Sequence, residues 1–293
     1  MSASLPLDAS TEANKRWASF WRYVRRRPIP SLGVFILFAL VVSAIAAPWI
    51  AQHDPVEMNV IDRLTPPSAE YWFGTDAYGR DIFSRTLYGG RVSLLVGLAV
   101  AAASTLLGLL IGVIAGYFRM ADAIIMRVMD GVMAIPGILL AIALMSLTRA
   151  SLSVVVIAIT IPEIPRVVRL VRAVVLSVRE QTYIQAASAI GTRFPRLMVK
   201  HILPNTLAPL IVQATYICAS AVLIESYLSF LGVGTPPEIA SWGNVISEGR
   251  LYVQIAFWNI LFPGIFLALM VLSINVLGDA LRDALDPRLA RRL

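Results

Sequence analysis

Tyr183-Ile184-Gln185-Ala186-Ala187-Ser188-Ala189-Ile190-Gly191, closed twelve residues later by Leu203-Pro204-Asn205, decides how this 293-residue chain is read. The stretch is polar and basic, and it lies between segments too apolar for a soluble protein. Its pattern is that of two short helices hinged at a glycine. Gly191 is placed to end the first helix in the left-handed conformation. Thr192 is placed to cap the second, with Pro195 tolerated in its first turn. Tyr183, Ala187, Ile190, Phe194, Leu197, Met198 and His201 recur at three- and four-residue steps, which puts them on one side of a helical path. Gln181, Gln185, Arg193, Arg196 and Lys200 occupy the other side. One reading is an amphipathic element lying on lipid. The other is a compact cationic knob that a soluble partner grips.

The composition sets the solvent. Hydrophobic residues make up 58% of the chain and charged residues 15%, with a mean hydropathy of +0.74. Soluble domains average about 45–50% apolar and about 25% charged. The net charge of +7 does not indicate nucleic acid, because the positive residues flank apolar spans, as the positive-inside rule produces by itself. Cys218 is the only cysteine and the two histidines, His53 and His201, lie far apart in sequence, so neither a disulfide framework nor a metal centre is expected.

About 20 apolar residues cross a bilayer core of about 30 Å as a helix. Six segments qualify: 31–50, 92–118, 128–147, 152–172, 206–224 and 257–278. The third contains Pro136, which membrane helices tolerate. In the fourth, Pro162, Glu163 and Pro165 interrupt the apolar run. The first has the outline of a signal peptide, with Ala44-Ile45-Ala46 ahead of Ala47-Pro48, but its long apolar core reads as a retained anchor. Six spans with the N-terminal arm inside place 19 of the 25 basic residues on the cytoplasmic side. These include Lys15, Arg16, Arg22, Arg25, Arg26 and Arg27 of the arm and Arg282, Arg288, Arg291 and Arg292 of the tail. Both termini are therefore expected to be cytoplasmic.

Two further features carry structural expectations. Residues 72–91 read as an interfacial elbow, with Phe73, Ile82, Phe83, Leu87 and Tyr88 in the interface and Asp76, Arg80, Asp81 and Arg85 facing water. Gly108, Gly112 and Gly116, at every fourth position, permit close helix approach, more simply within the chain than between subunits. The chain has no GxxxxGK[ST] phosphate loop, HExxH or GxSxG, so no catalytic, cofactor-binding or metal site is expected. Asp130, Glu163 and Glu225 are expected at span ends, which argues against an intramembrane proton relay.

Gln185-Ala186-Ala187, Gly191 and Leu203-Pro204 stand at the spacing of the cytoplasmic coupling loop in permease subunits of binding-protein-dependent ABC importers, which the chain resembles. Gln185 replaces the family's usual Glu, giving up a charge but keeping hydrogen bonds, and His201 stands at an Ile position. Trp72-Phe73-Gly74-Thr75-Asp76-Ala77-Tyr78-Gly79-Arg80-Asp81, Ser229-Phe230-Leu231-Gly232-Val233-Gly234 and Asn275-Val276-Leu277-Gly278-Asp279 are similar to the dipeptide/oligopeptide/nickel group, in its C-type permease. The resemblance implies an all-α, six-helix, type I importer transmembrane domain with a coupling-helix loop. It implies a bacterial inner-membrane location, a heterodimer with a second homologous permease, two cytoplasmic ABC ATPase subunits and an extracytoplasmic substrate-binding protein. Membrane lipid is a further partner; nucleic acid is not. It also implies a path for peptides or related small solutes, no cofactor, and ATP hydrolysis on the partner subunits. Tyr183, Gln185, Ala186, Ala187, Gly191, Leu203 and Pro204 are the expected coupling residues. The organisation follows: a basic arm over 1–30, a first helix over 31–50, an outer loop and elbow over 51–91, a five-helix core over 92–281 with the coupling loop at 178–205, and a tail over 282–293. An ATP-independent channel or a membrane scaffold is the alternative.

Overall fold

The computed structural model of the chain describes residues 28–148 and 150–285. The arm through residue 27, Arg149 and the end of the terminal motif with Arg288, Arg291 and Arg292 lie outside the described residues. Among those described, the chain is helical and has no strand, apart from an isolated bridge between Thr75 and Asp81. Helix α1 spans Pro28–Ile45, the short α2 Ala47–Ile50, α3 Ile82–Tyr117, α4 Arg119–Met133, α5 Gly137–Ser146 and α6 Leu152–Arg179. They are followed by α7 (Thr182–Ala189), α8 (Phe194–Leu197), α9 (Leu203–Phe230), α10 (Trp242–Gly249) and α11 (Trp258–Leu285).

Four helices are long and apolar enough to cross a membrane, or five if α4 and α5 form one broken span. The segment at 128–147 is therefore not the single helix its hydropathy suggests. It bends by 83° between α4 and α5, where Pro136 can neither continue a helix nor donate a backbone hydrogen bond. The 152–172 segment departs in the opposite direction. Pro162 and Pro165 do not cut it, and α6 runs unbroken for 28 residues, about 42 Å at the helical rise. Glu163 consequently sits mid-helix, not at a span end, and only 3% of it is exposed.

The second helix also starts earlier than expected. Asp81 accepts hydrogen bonds from the amides of Phe83 (3.3 Å) and Ser84 (2.9 Å), an N-cap that launches α3 at Ile82 rather than 92. Asp76, Arg80, Asp81 and Arg85, expected to face water, are buried. Arg80 and Arg85 are paired with Asp76 and with a distant carboxylate, Asp81 accepts from Ser84, and the buried Arg85 Nε has no hydrogen-bond partner among the described residues. The Arg80 Nε donates to Asp76 at 2.6 Å, and both Arg80 and Arg85 donate to the Glu248 carboxylate of α10, the latter at 3.0 Å. Burial pushes the Glu248 carboxyl above the ordinary glutamate range, against the pull of Arg85 and Arg80. Trp242, almost wholly buried at the start of α10, donates its indole N–H to the Thr86 carbonyl at 2.9 Å. The elbow and the 231–257 segment thus form one block at the first end of α3.

The other end of α3 carries the 181–205 loop, because Arg179 at the end of α6 donates to the carbonyl of Tyr117 at 3.0 Å. Helices α1 and α11 fix where the described chain ends lie. Gly33, early in α1, packs against Val276, late in α11. Ala44, late in α1, approaches Gly90, and Trp258, first in α11, donates to the Thr75 carbonyl. Residues 28 and 285 therefore lie at the end that holds the 181–205 loop, and the elbow lies at the opposite end.

Glycines 108, 112 and 116 seat α3 on α6, so the stripe is internal packing. A Cβ on Gly112 would stand 2.8 Å from that of Val171, and one on Gly116 would stand 2.7 Å from that of Val175. Gly108 meets Val167 one turn earlier. Three glycines facing three valines at four-residue spacing let the two backbones approach where larger residues would separate them. Gly112→Leu is expected to destabilise the bundle by about 1–3 kcal/mol through overpacking. Thermal unfolding of the detergent-purified protein measures it as a lowered midpoint.

Candidate functional site

Helix α6 ends at Arg179, and the chain reverses through Glu180 and the extended Gln181 into α7. That helix is closed by a full Schellman motif. The Thr192 amide donates to the Ala187 carbonyl at 3.1 Å and the Gly191 amide to Ser188 at 3.0 Å, with Gly191 at φ 83°. A left-handed residue at this position is what the glycine was expected to supply. Thr192 does not cap the second helix. Helix α8 starts at Phe194, one residue too late for that role, and Arg193 takes the preceding position by accepting from the Leu197 amide.

Nor is the second helix a separate unit. Helix α8 passes through a π-turn over Met198–Ile202 directly into α9, and one helical run extends over Pro195–Phe230. Pro204 lacks the N–H that would continue the regular ladder. The widened turn, together with Asn205 Nδ2 donating to the His201 carbonyl at 2.6 Å, absorbs the fault. Leu203 and Pro204 thus form the first turn of α9 and join the 181–202 loop to the bundle in one helical run.

The inner face of the loop differs from the face its spacing suggested. Ile184, Leu197, Met198 and Ile202 are buried and belong to the same core as Val175 and Val178 of α6, with Ala187 packed at its margin. Tyr183 and Ile190 are exposed, as are Gln185, Ala186 and Gly191. Leu197 and Met198 of the expected face are buried and Ala187 is half-buried, but Tyr183 and His201 give way to Ile184 and Ile202, each one position further along. The missed signal is Ile184 itself, which sits in phase with Leu197 and Ile202 once the glycine hinge reverses the chain. On the outer side, Tyr117, Arg119, Arg179, Glu180, Gln185 and Ser188 border a cleft of about 540 Å³. An exposed face of small and polar residues is thereby mounted on an apolar root that belongs to the main core.

The described residues thus form a helical bundle with several apolar helices and a structured helical loop at one end. Solved structures agree on the fold. An inward-facing methionine ABC transporter superimposes with a TM-score of 0.54 at 20% identity, covering 69% of this chain and 96% of that one. An amino acid ABC transporter gives 0.55 at 14% identity, with 69% and 95% covered. Residues 108–291 match the family described as "Binding-protein-dependent transport system inner membrane component". Residues 15–67 match "N-terminal TM domain of oligopeptide transport permease C". A probable peptide ABC transporter permease protein of Sinorhizobium fredii is 54% identical, covering 92% of this chain and 93% of its own. A dipeptide transport system permease protein of Alkalihalophilus pseudofirmus is 42% identical over 98% and 94%.

The chain belongs to the binding-protein-dependent transport system inner membrane component family. It is a multi-pass permease subunit of an ABC importer, not an enzyme. ATPase and substrate-binding partners are separate proteins.

Proposed function

We propose that this permease carries short peptides across a bacterial inner membrane as one half of a heterodimer with a related permease. The substrate rests on relatives named as peptide and dipeptide permeases. Six spans, with α4 and α5 as one and α6 as another, put both termini and the 181–205 segment on the cytoplasmic side. The arginine bias, which holds without Arg166, Arg169 and Arg172 now placed within α6, and the shared end of residues 28 and 285 support that orientation. The division into arm, first helix, outer elbow, permease core and tail is kept as proposed from the sequence.

Tyr183, Gln185, Ala186, Ala187 and Gly191 form the seat of an ATPase subunit, with Leu203 and Pro204 as its rigid hinge to α9. The observation that carries this reading is the two-sidedness of α7, with Ile184 in the core and Gln185 and Ala186 in solvent. ATP binding draws two ATPases together. A seat fixed to α6 and α9 passes that movement to the bundle, and nucleotide shifts the equilibrium because it binds the two states unequally.

Ala186→Asp places a charge on the exposed seat without touching the core. It is expected to reduce co-purifying ATPase by about tenfold or more, equivalent to about 1.4 kcal/mol of docking energy. Undiminished co-purification would place the seat elsewhere. Ala187→Asp is expected to lose the ATPase too, but with a lower unfolding midpoint, because Ala187 packs on the core.

A further inference from the structure

The cleft beneath the α4–α5 bend contains an ion pair that the fold does not use to join helices. Three arginines line α6 at three-residue steps. Arg169 pairs with Asp130 of α4 at 2.6 Å and Arg172 with Asp122 at 2.7 Å, and together they tie α4 to α6. Arg166 differs. It donates only within its own helix, from one Nη to both oxygens of Glu163 at 3.1 and 3.2 Å, so the rest of its guanidinium fork has no hydrogen-bond partner among the described residues. Its side chain is 57% exposed, whereas that of Glu163 is 3% exposed.

Arg166 is the fifteenth of 28 residues in α6, roughly 21 Å from either end at the helical rise. Helix α6 is not among the helices apolar enough to cross a membrane by composition alone; taken as a span, as proposed above, it keeps an ionised Arg166 off the lipid and against water or protein. The pair lines a cleft of about 430 Å³ with Pro136, Gly137 and Ile138 of the bend, Pro162 and Ile224. That volume falls within the about 300–1,000 Å³ typical of small-molecule sites. Helix α5 begins at this cleft with no side-chain cap, which adds donor character beside the guanidinium.

We propose that this cleft is a station on the translocation path that holds a zwitterionic short peptide, with Arg166 taking its carboxylate and Glu163 its ammonium. The proposal rests on the peptide reading above. The pair matches both charged ends, and because both its members belong to α6 it moves as a unit when the bundle changes state. Occupancy opens the internal pair and replaces each charge partner with one from the solute, so no charge is left unpaired.

The test uses the whole purified complex with Ile138→Cys as a reporter in the cleft. Cys218, the single native cysteine of this chain, is buried, and modification is read on this chain alone after the subunits are separated by electrophoresis. A cationic, water-soluble methanethiosulfonate reagent is expected to modify the reporter, and millimolar L-alanyl-L-alanine to slow it by about tenfold. The slowing is expected to shrink with the dipeptide amide, to vanish with Arg166→Met and to persist with Arg166→Lys. Equal protection by dipeptide and amide overturns the station even if Arg166→Met fails to assemble, and so does a reporter that water cannot reach. Dialanine uptake by proteoliposomes separates the two claims. Uptake without protection overturns the station alone, and absence of uptake by the unmodified complex overturns the peptide reading and the station with it.

Discussion

Gly191→Val is expected to leave the complex assembled and hydrolysing ATP while solute uptake falls by about tenfold or more. Nothing lies within 4 Å of a Cβ at this position, so no clash obstructs the valine. The effect comes through the backbone. At φ 83° an L-residue pays roughly 1–2 kcal/mol, with a β-branched side chain fitting worst. Relief of that strain breaks the bonds from Gly191 to Ser188 and from Thr192 to Ala187. Helix α7 then loses its fixed angle to α8, and the seat moves without driving the bundle. Gly191→Asn supplies the control, because Asn tolerates the left-handed region, and it is expected to retain coupling. Normal uptake per ATP in the valine variant would show that the loop angle transmits nothing.

Glu248→Ala is expected to cost about 3 kcal/mol, the lower end of what breaking a buried pair removes. Arg80 and Arg85 are 4% and 1% exposed and share this carboxylate. Without it they remain buried beside Asp76, which can answer only one positive charge. Glu248→Gln keeps an acceptor and is expected to lose about half as much or less, since a hydrogen bond to a charged group contributes about 1.5–3 kcal/mol. Limited proteolysis of the elbow together with thermal unfolding reads the difference. Equal behaviour of the alanine variant and the native protein would mean that the network does not hold the elbow to α10.

The glycine-closed backbone of the 181–205 loop was legible because its information is local. The glycine, the small residues and the proline sit at fixed spacing within one loop, and each demands a particular backbone state. The glycine stripe was legible for the same reason, since a four-residue period already implies a facing helix. The elbow was misread because the partner of Arg80 and Arg85 lies more than 160 residues away. No local pattern reveals that a charge is paired, so four buried charges read as a wet face. The two proline sites were misread in opposite directions. Pro136 opens a bend that faces Pro162 of α6 across a cleft, whereas Pro162 and Pro165 lie in a helix packed against α3 along its length. Whether a proline breaks a membrane helix depends on what packs against it, and hydropathy does not record that. Glu163 was displaced to a span end by the same error, and the Glu163–Arg166 cleft stayed invisible until α6 proved continuous.

The most direct test of the central claim is to co-express the tagged chain with its neighbouring gene products, purify it in detergent and assay ATP hydrolysis. Recovery of a second permease and two ATPase subunits, with hydrolysis stimulated by a binding protein, is the expected result. Recovery of this chain alone, stable and indifferent to nucleotide, would contradict it and favour an ATP-independent channel or scaffold.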